Sequence, residues 1–269
     1  MQSTLKIARL GAELWVRGAV PTIDGAHSAV AIVGARAASR RAVEQAHALA
    51  QQLAAQGVIV VSGGALGVDA AAHRGALAAP GGLTVAVLGT GVDVAYPVRN
   101  RALFEAIAAG RGALLSPFPP GTPPVRWQFP RRNRVIAALA HGVVVVEAQA
   151  RSGALSTARA AHRLGRRVMA CPGSPGCDAL LAAGAFAVES APDVLAALAG
   201  RRRTRVLPAG DPGLALRALS GASALSPVEV ALRAGLSESA AHAALLRLTL
   251  MGYVARLPGE RYKRLEKAA

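Results

Sequence analysis

The chain has 269 residues, 52% of them hydrophobic and 17% charged, with a mean hydropathy of +0.35, so it has ample apolar content for a core and is not a disordered chain. Its net charge is +16, carried almost wholly by arginine, since Lys6, Lys263 and Lys267 are the only lysines, and residues 1–205 hold +13 of it. Such a balance expects a polyanionic partner, nucleic acid first, while aromatics at 3% argue against large aromatic-lined pockets.

The opening residues, MQSTLKIARLGAELWVRG, lack the apolar run of a signal peptide, and no stretch reaches the ~18 apolar residues of a membrane span. A cytoplasmic location with no membrane contact is expected. From residue 29 one pattern recurs: a short β-branched run, a Gly/Ser turn, then an Ala-rich helical stretch. The runs are AVAIVG (29–34), VIVVSG (58–63), TVAVLG (84–89), GALLS (112–116), VVVVEA (143–148) and RVMACPG (167–173), with helices expected over 40–56, 68–79, 100–110 and 155–165. Strands apolar on both faces, alternating with helices, predict an α/β, Rossmann-like, doubly wound and mostly parallel sheet. AGRRRTRVLPAGDPG (199–213) breaks the pattern, which assigns residues 1–200 to this domain and 201–213 to a linker. Over 214–269 two helices joined by a Gly-containing turn, with Ser226 and Ser237 as N-caps and Glu229 placed for a capping box, precede a hairpin-like ending; a small winged-helix domain is expected.

In doubly wound sheets ligands gather beyond the carboxyl ends of the strands, so the loops there bear on function. In GARAASRR, Gly34 lets a ligand approach the backbone, Arg36 stands beside a helix start, and Ser39 is a candidate cap; together they form a phosphate site, or else an ordinary turn with a solvated arginine. In SGGALGVDAAAH (62–73), Ser62, Gly63 and Gly67 make an anion-binding turn that has neither the GK[ST] of a Walker loop nor dinucleotide glycine spacing. Asp69 and His73 form an i,i+4 pair there, with no nucleophile evident. GTGVDVAYPVRN (89–100) sets Tyr96 beside Arg99, with Asn100 suited to capping the next helix; the tyrosine either stacks on a base or packs in support of its loop. In WQFPRRNRVI, Phe129, Arg131, Arg132, Asn133 and Arg134 crowd cations at a helix start, which is unfavourable unless anions compensate; Glu147 is a carboxylate for one of them and phosphates for the rest. Ser152, Gly153 and Thr157, with Ser156, form a last hydroxyl-rich turn. Cys171 and Cys177, five residues apart with no His pair beside them, make a poor zinc site, so no metal is expected, nor any cofactor.

The motifs GAR (34–36), SGxAxGVDxxAH (62–73), GTGVDxxYPxxN (89–100), FPRRNRxI (129–136), VVVEAxxRSGxLxTA (144–158) and PG (172–173), in this order, resemble the DNA-processing protein A (DprA/Smf) family. Leu66 stands where a basic residue is usual, and Pro117 follows Ser116 where the family has glutamate. The resemblance implies a non-enzymatic protein that binds single-stranded DNA through its Rossmann-like domain. It further implies a homodimer that protects incoming DNA in natural transformation and loads RecA recombinase onto it. Carried over by motif, Arg36, the loop Ser62–Asp69, and Arg131, Arg132 and Arg134 would meet DNA. The alternative is a nucleotide-processing enzyme of the related lysine-decarboxylase-like group, whose PGGxGTxxE signature finds no glutamate in SGGALGVDA or RSGALSTARA. A third reading, a transcription factor reading DNA with the winged helix, meets a domain charge of only +3.

Overall fold

The computed structural model describes residues 3–7, 12–21, 28–200, 210–220, 224–250 and 253–265. The chain divides into two units, Met1–Arg203 and Thr204–Ala269. In the first, the β-branched runs become strands β3 (Ala29–Val33), β4 (Ile59–Ser62), β5 (Thr84–Val87), β6 (Ala113–Ser116), β7 (Gly142–Val145) and β8 (Arg167–Ala170), with a short β9 (Phe186–Ala187). Two earlier strands, β1 (Ser3–Ile7) and β2 (Ala12–Gly18), complete a nine-stranded sheet of order β1-β2-β6-β5-β4-β3-β7-β8-β9. From β6 to β9 the pairing is parallel, while β2 runs antiparallel to both β1 and β6.

Alternation within the strands sorts the core into two layers. Ala31, Val33, Val61, Val87 and Val145 face α4 (Gln128–Leu139), α5 (Ala154–Arg163) and α6 (Pro175–Ala182). Val30, Ile32, Val60 and Val144 face α1 (Arg40–Ala54), α2 (Val68–Ala78) and α7 (Ala191–Leu198), while α3 (Arg101–Ala109) covers Ala86 and Leu114. Helices on both faces of a mostly parallel sheet are the doubly wound arrangement. Cys171 and Cys177 are buried free thiols, and burial pushes Cys171 up to about 12. Among the described residues no helix is long and apolar enough to cross a membrane.

Among its described residues the second unit has three helices, α8 (Asp211–Ala218), α9 (Pro227–Ala234) and α10 (Glu238–Leu250), and an antiparallel hairpin of β10 (Val254–Leu257) and β11 (Arg261–Arg264). They close around Leu216, Leu219, Val230, Leu245, Leu248 and Tyr262. Ser226 and Glu229 form the reciprocal capping box, and Gly235 ends α9 at φ 65°. Residues 201–209 of the expected linker lie outside the described residues. Its last three, Asp211, Pro212 and Gly213, are helical instead, because Pro212 falls in the first turn of α8, where its missing N–H has no intrahelical acceptor to lose.

His73, on α2, is fully buried against the sheet. Thr84 donates its hydroxyl to the Val60 carbonyl at 2.8 Å, so His73 Nδ1 donates to Thr84 Oγ1, also 2.8 Å away, and Nε2 is left as a buried lone pair without a partner. Burial, then the charges of Arg132 and Arg74, hold the imidazole down at about 3 from 6.5. The unfolded chain binds this proton below pH 6.5 and the folded one does not, so stability is complete above 6.5 and falls as pH drops toward 3. Between pH 7 and 5 the loss from this residue is about 2 kcal/mol. Urea titrations at the two pH values should show a smaller difference for His73→Gln than for the parent; an equal difference would place the proton elsewhere.

Candidate nucleic-acid interface

Strand order reverses between β3 and β7: β4, β5 and β6 follow on one side of β3, and β7, β8 and β9 on the other. The loops beyond these two strands part at that point and leave a crevice, the usual ligand position in such sheets. It has a volume of about 730 Å³ and takes Gly34 and Arg36 from the loop after β3, and Ser152, Gly153 and Thr157 from the loop after β7 and the start of α5. Phe129, Arg132 and Asn133 of α4 form another wall, and Tyr96 reaches it from the loop after β5. Gly63 and Leu66 line a smaller adjoining slot with Arg36, Tyr96 and Phe129.

The first loop is anchored at both ends. Ser39 caps α1, accepting from the Ala42 N–H at 3.2 Å, while its own N–H donates to Glu147 Oε1 at 3.0 Å and its hydroxyl to Glu147 Oε2. Glu147 therefore anchors Ser39, and is not the counter-charge expected for the arginines of α4. A Cβ on Gly34 would lie 2.6 Å from Val68 Cγ2, so this glycine seats the loop on α2. Arg36 projects from it, its guanidinium 5.4 Å from the Phe129 ring centroid, and the Tyr96 ring lies 5.7 Å from that of Phe129. The aromatic face holds the cation without using its N–H donors.

Arg132 is a different kind of residue. It is 4% exposed, donates to the Val87 carbonyl at 3.0 Å, and would stand 1.5 Å from a Cβ on Gly63. Burial lowers it to about 10, against the pull of Asp69, and it stays charged at neutral pH. Burial also pushes the Asp69 carboxyl up, while Arg132 and the amides of Ala65 and Gly63 pull it down. Arg132 is thus a core cation with Asp69 as its counter-charge, where the sequence reading put it on phosphate.

Two further expected contacts turn inward. Ser62 is fully buried and donates to the Ile32 carbonyl at 2.6 Å. Asn100 does not cap α3; it is 2% exposed and donates to the carbonyls of Gly64 at 2.9 Å and Ala65 at 3.3 Å, bracing the Gly-rich loop. Thr157 lines the crevice at only 1% exposure, and Gly67 at φ 75° begins α2, with a would-be Cβ 2.3 Å from the Ala35 carbonyl. Arg99, Arg131 and Arg134 are exposed but line neither crevice nor slot. Asn133 donates to Ser156 Oγ at 2.6 Å and ties α4 to the turn after β7.

The crevice adds three arginines that were not among the expected contacts: Arg126, Arg151 and Arg159. Their signal is position: Arg151 is the arginine of VVVEAxxRSGxLxTA, while Arg126 and Arg159 flank motifs already singled out. Among the described residues no carboxylate lies within ion-pair distance of Arg36, Arg126, Arg151 or Arg159, and the one acid lining the crevice is buried Asp69. His73 is engaged in the core, while Asp69, buried beside Arg132, borders the crevice. The arrangement suits holding an extended chain of phosphates.

A family model described as DNA recombination-mediator protein A matches residues 2–199. The putative DNA processing protein DprA of Mycobacterium tuberculosis is 47% identical over 188 residues, 68% of this chain and 48% of that protein. The chain thus spans about half the length of such curated relatives. Among solved structures, DNA processing protein A from Streptococcus pneumoniae superimposes with a TM-score of 0.63 at 42% identity, covering 68% of this chain and 65% of that one. A Helicobacter pylori DNA processing protein A, described by its single-stranded DNA binding mode, does so at 0.64 and 28% identity over 74% of this chain and 96% of its own.

Arg132→Met should destabilise the fold in urea unfolding, because it removes the bond to the Val87 carbonyl and the positive charge that holds the buried Asp69 carboxyl down. Adding Asp69→Asn should return part of that loss, as a double-mutant cycle reads it. If Arg132→Met keeps full stability and loses only nucleic-acid binding, the residue contacts ligand.

Proposed function

The chain belongs to the DNA recombination-mediator protein A family, and from that premise we propose that it binds single-stranded DNA in the crevice at the reversal of the sheet, without chemical turnover. The observation that carries this reading is the set of four arginines, Arg36, Arg126, Arg151 and Arg159, facing one crevice with no carboxylate within ion-pair distance of them among the described residues. Phosphates are the complement such a surface lacks. Tyr96, 41% exposed, offers a stacking face to a base, and stacking is indifferent to sequence. The relative from Helicobacter pylori, described as a single-stranded DNA binder, supports the assignment.

In this reading the protein works in the cytoplasm as a homodimer that shields incoming DNA in natural transformation and passes it to RecA. We read the second unit as a winged-helix domain, a reading that the order of its described helices and hairpin supports. It carries little of the excess charge and is not the principal DNA reader. Removing residues 206–269 should therefore leave most single-strand affinity in place; a truncated protein that melts cooperatively but no longer binds would move the site to the second unit.

Binding should favour single over double strands and fall steeply with salt, since phosphate contacts dominate. Arg36→Ala should weaken it about equally across sequences and reduce the magnitude of the salt slope by roughly 0.7, the value for one phosphate contact on a single strand. Its melting temperature should hardly move. Fluorescence anisotropy over a salt series checks both, and equal affinity for duplex and single strand at moderate salt would sink the assignment.

A further inference from the structure

Two neighbours at the start of α4 are placed in the reverse of their polarity. Gln128 is 3% exposed, while the indole of Trp127 is 57% exposed. Burying an indole stabilises a fold more than burying an amide, which needs hydrogen-bond partners once inside. Gln128 meets that need by accepting from the Val125 N–H at 2.7 Å. Trp127 also occupies the N-cap of α4, a position that Ser, Thr, Asp or Asn fills better, and its side chain makes no cap hydrogen bond. Slack in the chain does not account for the exposure. The loop before it carries five prolines over 117–124, Asp93 accepts from the Gly121 N–H at 2.8 Å, and Thr122 donates its hydroxyl to the Pro119 carbonyl at 2.6 Å. Buried Phe118 holds the indole in place, the two rings 5.6 Å apart and edge to face at 84°. Arg131 lies 5.7 Å from the centroid of the same Phe118 ring, which orients the guanidinium and leaves its N–H donors to meet an acceptor. Arg126 and Arg131 are both exposed, and among the described residues neither has a carboxylate within ion-pair distance.

Resting on the reading of the crevice as a single-strand site, we propose that Trp127 is a second stacking platform, which receives a base of the strand as it leaves the crevice past Arg126. Arg126 belongs to the crevice wall and Trp127 follows it in the chain, so the platform borders the crevice without lining it. A nucleotide is the occupant that fits. The site couples an exposed aromatic ring to two cations without counter-charges, and a nucleotide couples a flat base to a phosphate. With the ring already held by Phe118, little side-chain freedom is lost when the base arrives.

Trp15 and Trp127 are the only tryptophans, so Trp15→Phe in the full chain leaves Trp127 as the sole indole emitter. Titration of that protein with an oligothymidylate of about 16 nucleotides should quench the emission in step with the rise in anisotropy. Trp127→Ala should weaken binding of the same strand about tenfold, within the range for one stacked base, and leave the salt slope unchanged because no phosphate contact is lost. Trp127→Phe should recover most of the affinity. On an abasic strand of equal length, the parent and Trp127→Ala should bind alike, since the base is what the indole meets. The proposal is overturned if saturating DNA leaves the emission unchanged, if Trp127→Ala binds like the parent, or if its loss persists on the abasic strand. It is also overturned if Trp127→Ala alters only the sedimentation mass, which would make the indole a protein contact. Should the melting curve show Trp127→Ala misfolded, the quenching and Trp127→Phe decide. Failure of the crevice reading is separately visible, since Arg36→Ala would then bind the strand as tightly as the parent whatever Trp127 does.

Discussion

The buried guanidinium of Arg132 ties α4 to the ends of β4 and β5, and the crevice takes its form from that tie. Taking a cation out of water costs several kcal/mol, offset here by the Val87 carbonyl and the charge of Asp69. In return the helix is held at one height over the sheet. Phe129, one turn earlier, then meets Tyr96 and Arg36, and Asn133, next in sequence, reaches Ser156. Removing the cation would free α4 from the strands while leaving its apolar face in place. The tie therefore sets the position of α4 as well as contributing to cohesion.

The same contact gives the glycines of the second loop a meaning other than anion binding. Gly63 lacks a Cβ because Arg132 occupies that space, and Gly67 lacks one because the carbonyls of Ala35 and Arg36 come within 2.3 and 2.6 Å of where it would stand. The first and second loops are thereby packed against each other, with Val68 donating its N–H to the Ala35 carbonyl at 3.2 Å. A Gly-rich turn at a helix N-terminus satisfies the requirements of a phosphate cradle and of a tight loop junction equally well. Here the junction is what the atoms display, and phosphate-sized exposure falls to Arg36, Ser152 and Gly153 around it.

This explains how far the sequence could be read. The parallel core was legible because strands covered on both faces must be apolar at successive positions, and β3, β4, β5 and β7 are fully buried along their length. β2 escaped notice because an edge-side antiparallel strand buries only alternate residues; Leu14 and Val16 are in the core while Glu13 is exposed. In the site, Gly34, Arg36, Tyr96, Phe129, Asn133, Ser152 and Gly153 do come together at one crevice. Ser62 and Asn100 turn inward because a polar residue in a functional-looking loop serves equally to satisfy buried carbonyls, and a one-dimensional motif does not say which way a side chain turns; Arg132 is buried as well but still lines the crevice. Glu147 was paired with the wrong partner for a related reason. Its nearest donors, on Ser39, belong to a loop more than a hundred residues away that only the β3–β7 pairing brings close.

The arginines of the first unit thus fall into two populations that composition cannot separate. Arg132 is neutralised inside, and Arg17 is paired with Glu105 at the surface. Arg36, Arg126, Arg151 and Arg159 are left without carboxylates around one concave surface, where low-dielectric walls strengthen their mutual repulsion. A fold selected for stability alone would intersperse acids there, as it does with Glu44 beside Arg40. Leaving the cluster bare makes the unliganded state carry a strain that a polyanion relieves, so part of the binding free energy comes from repulsion already present before the ligand arrives. If the crevice holds single-stranded DNA as proposed, its affinity would follow phosphate charge and spacing and depend little on base identity.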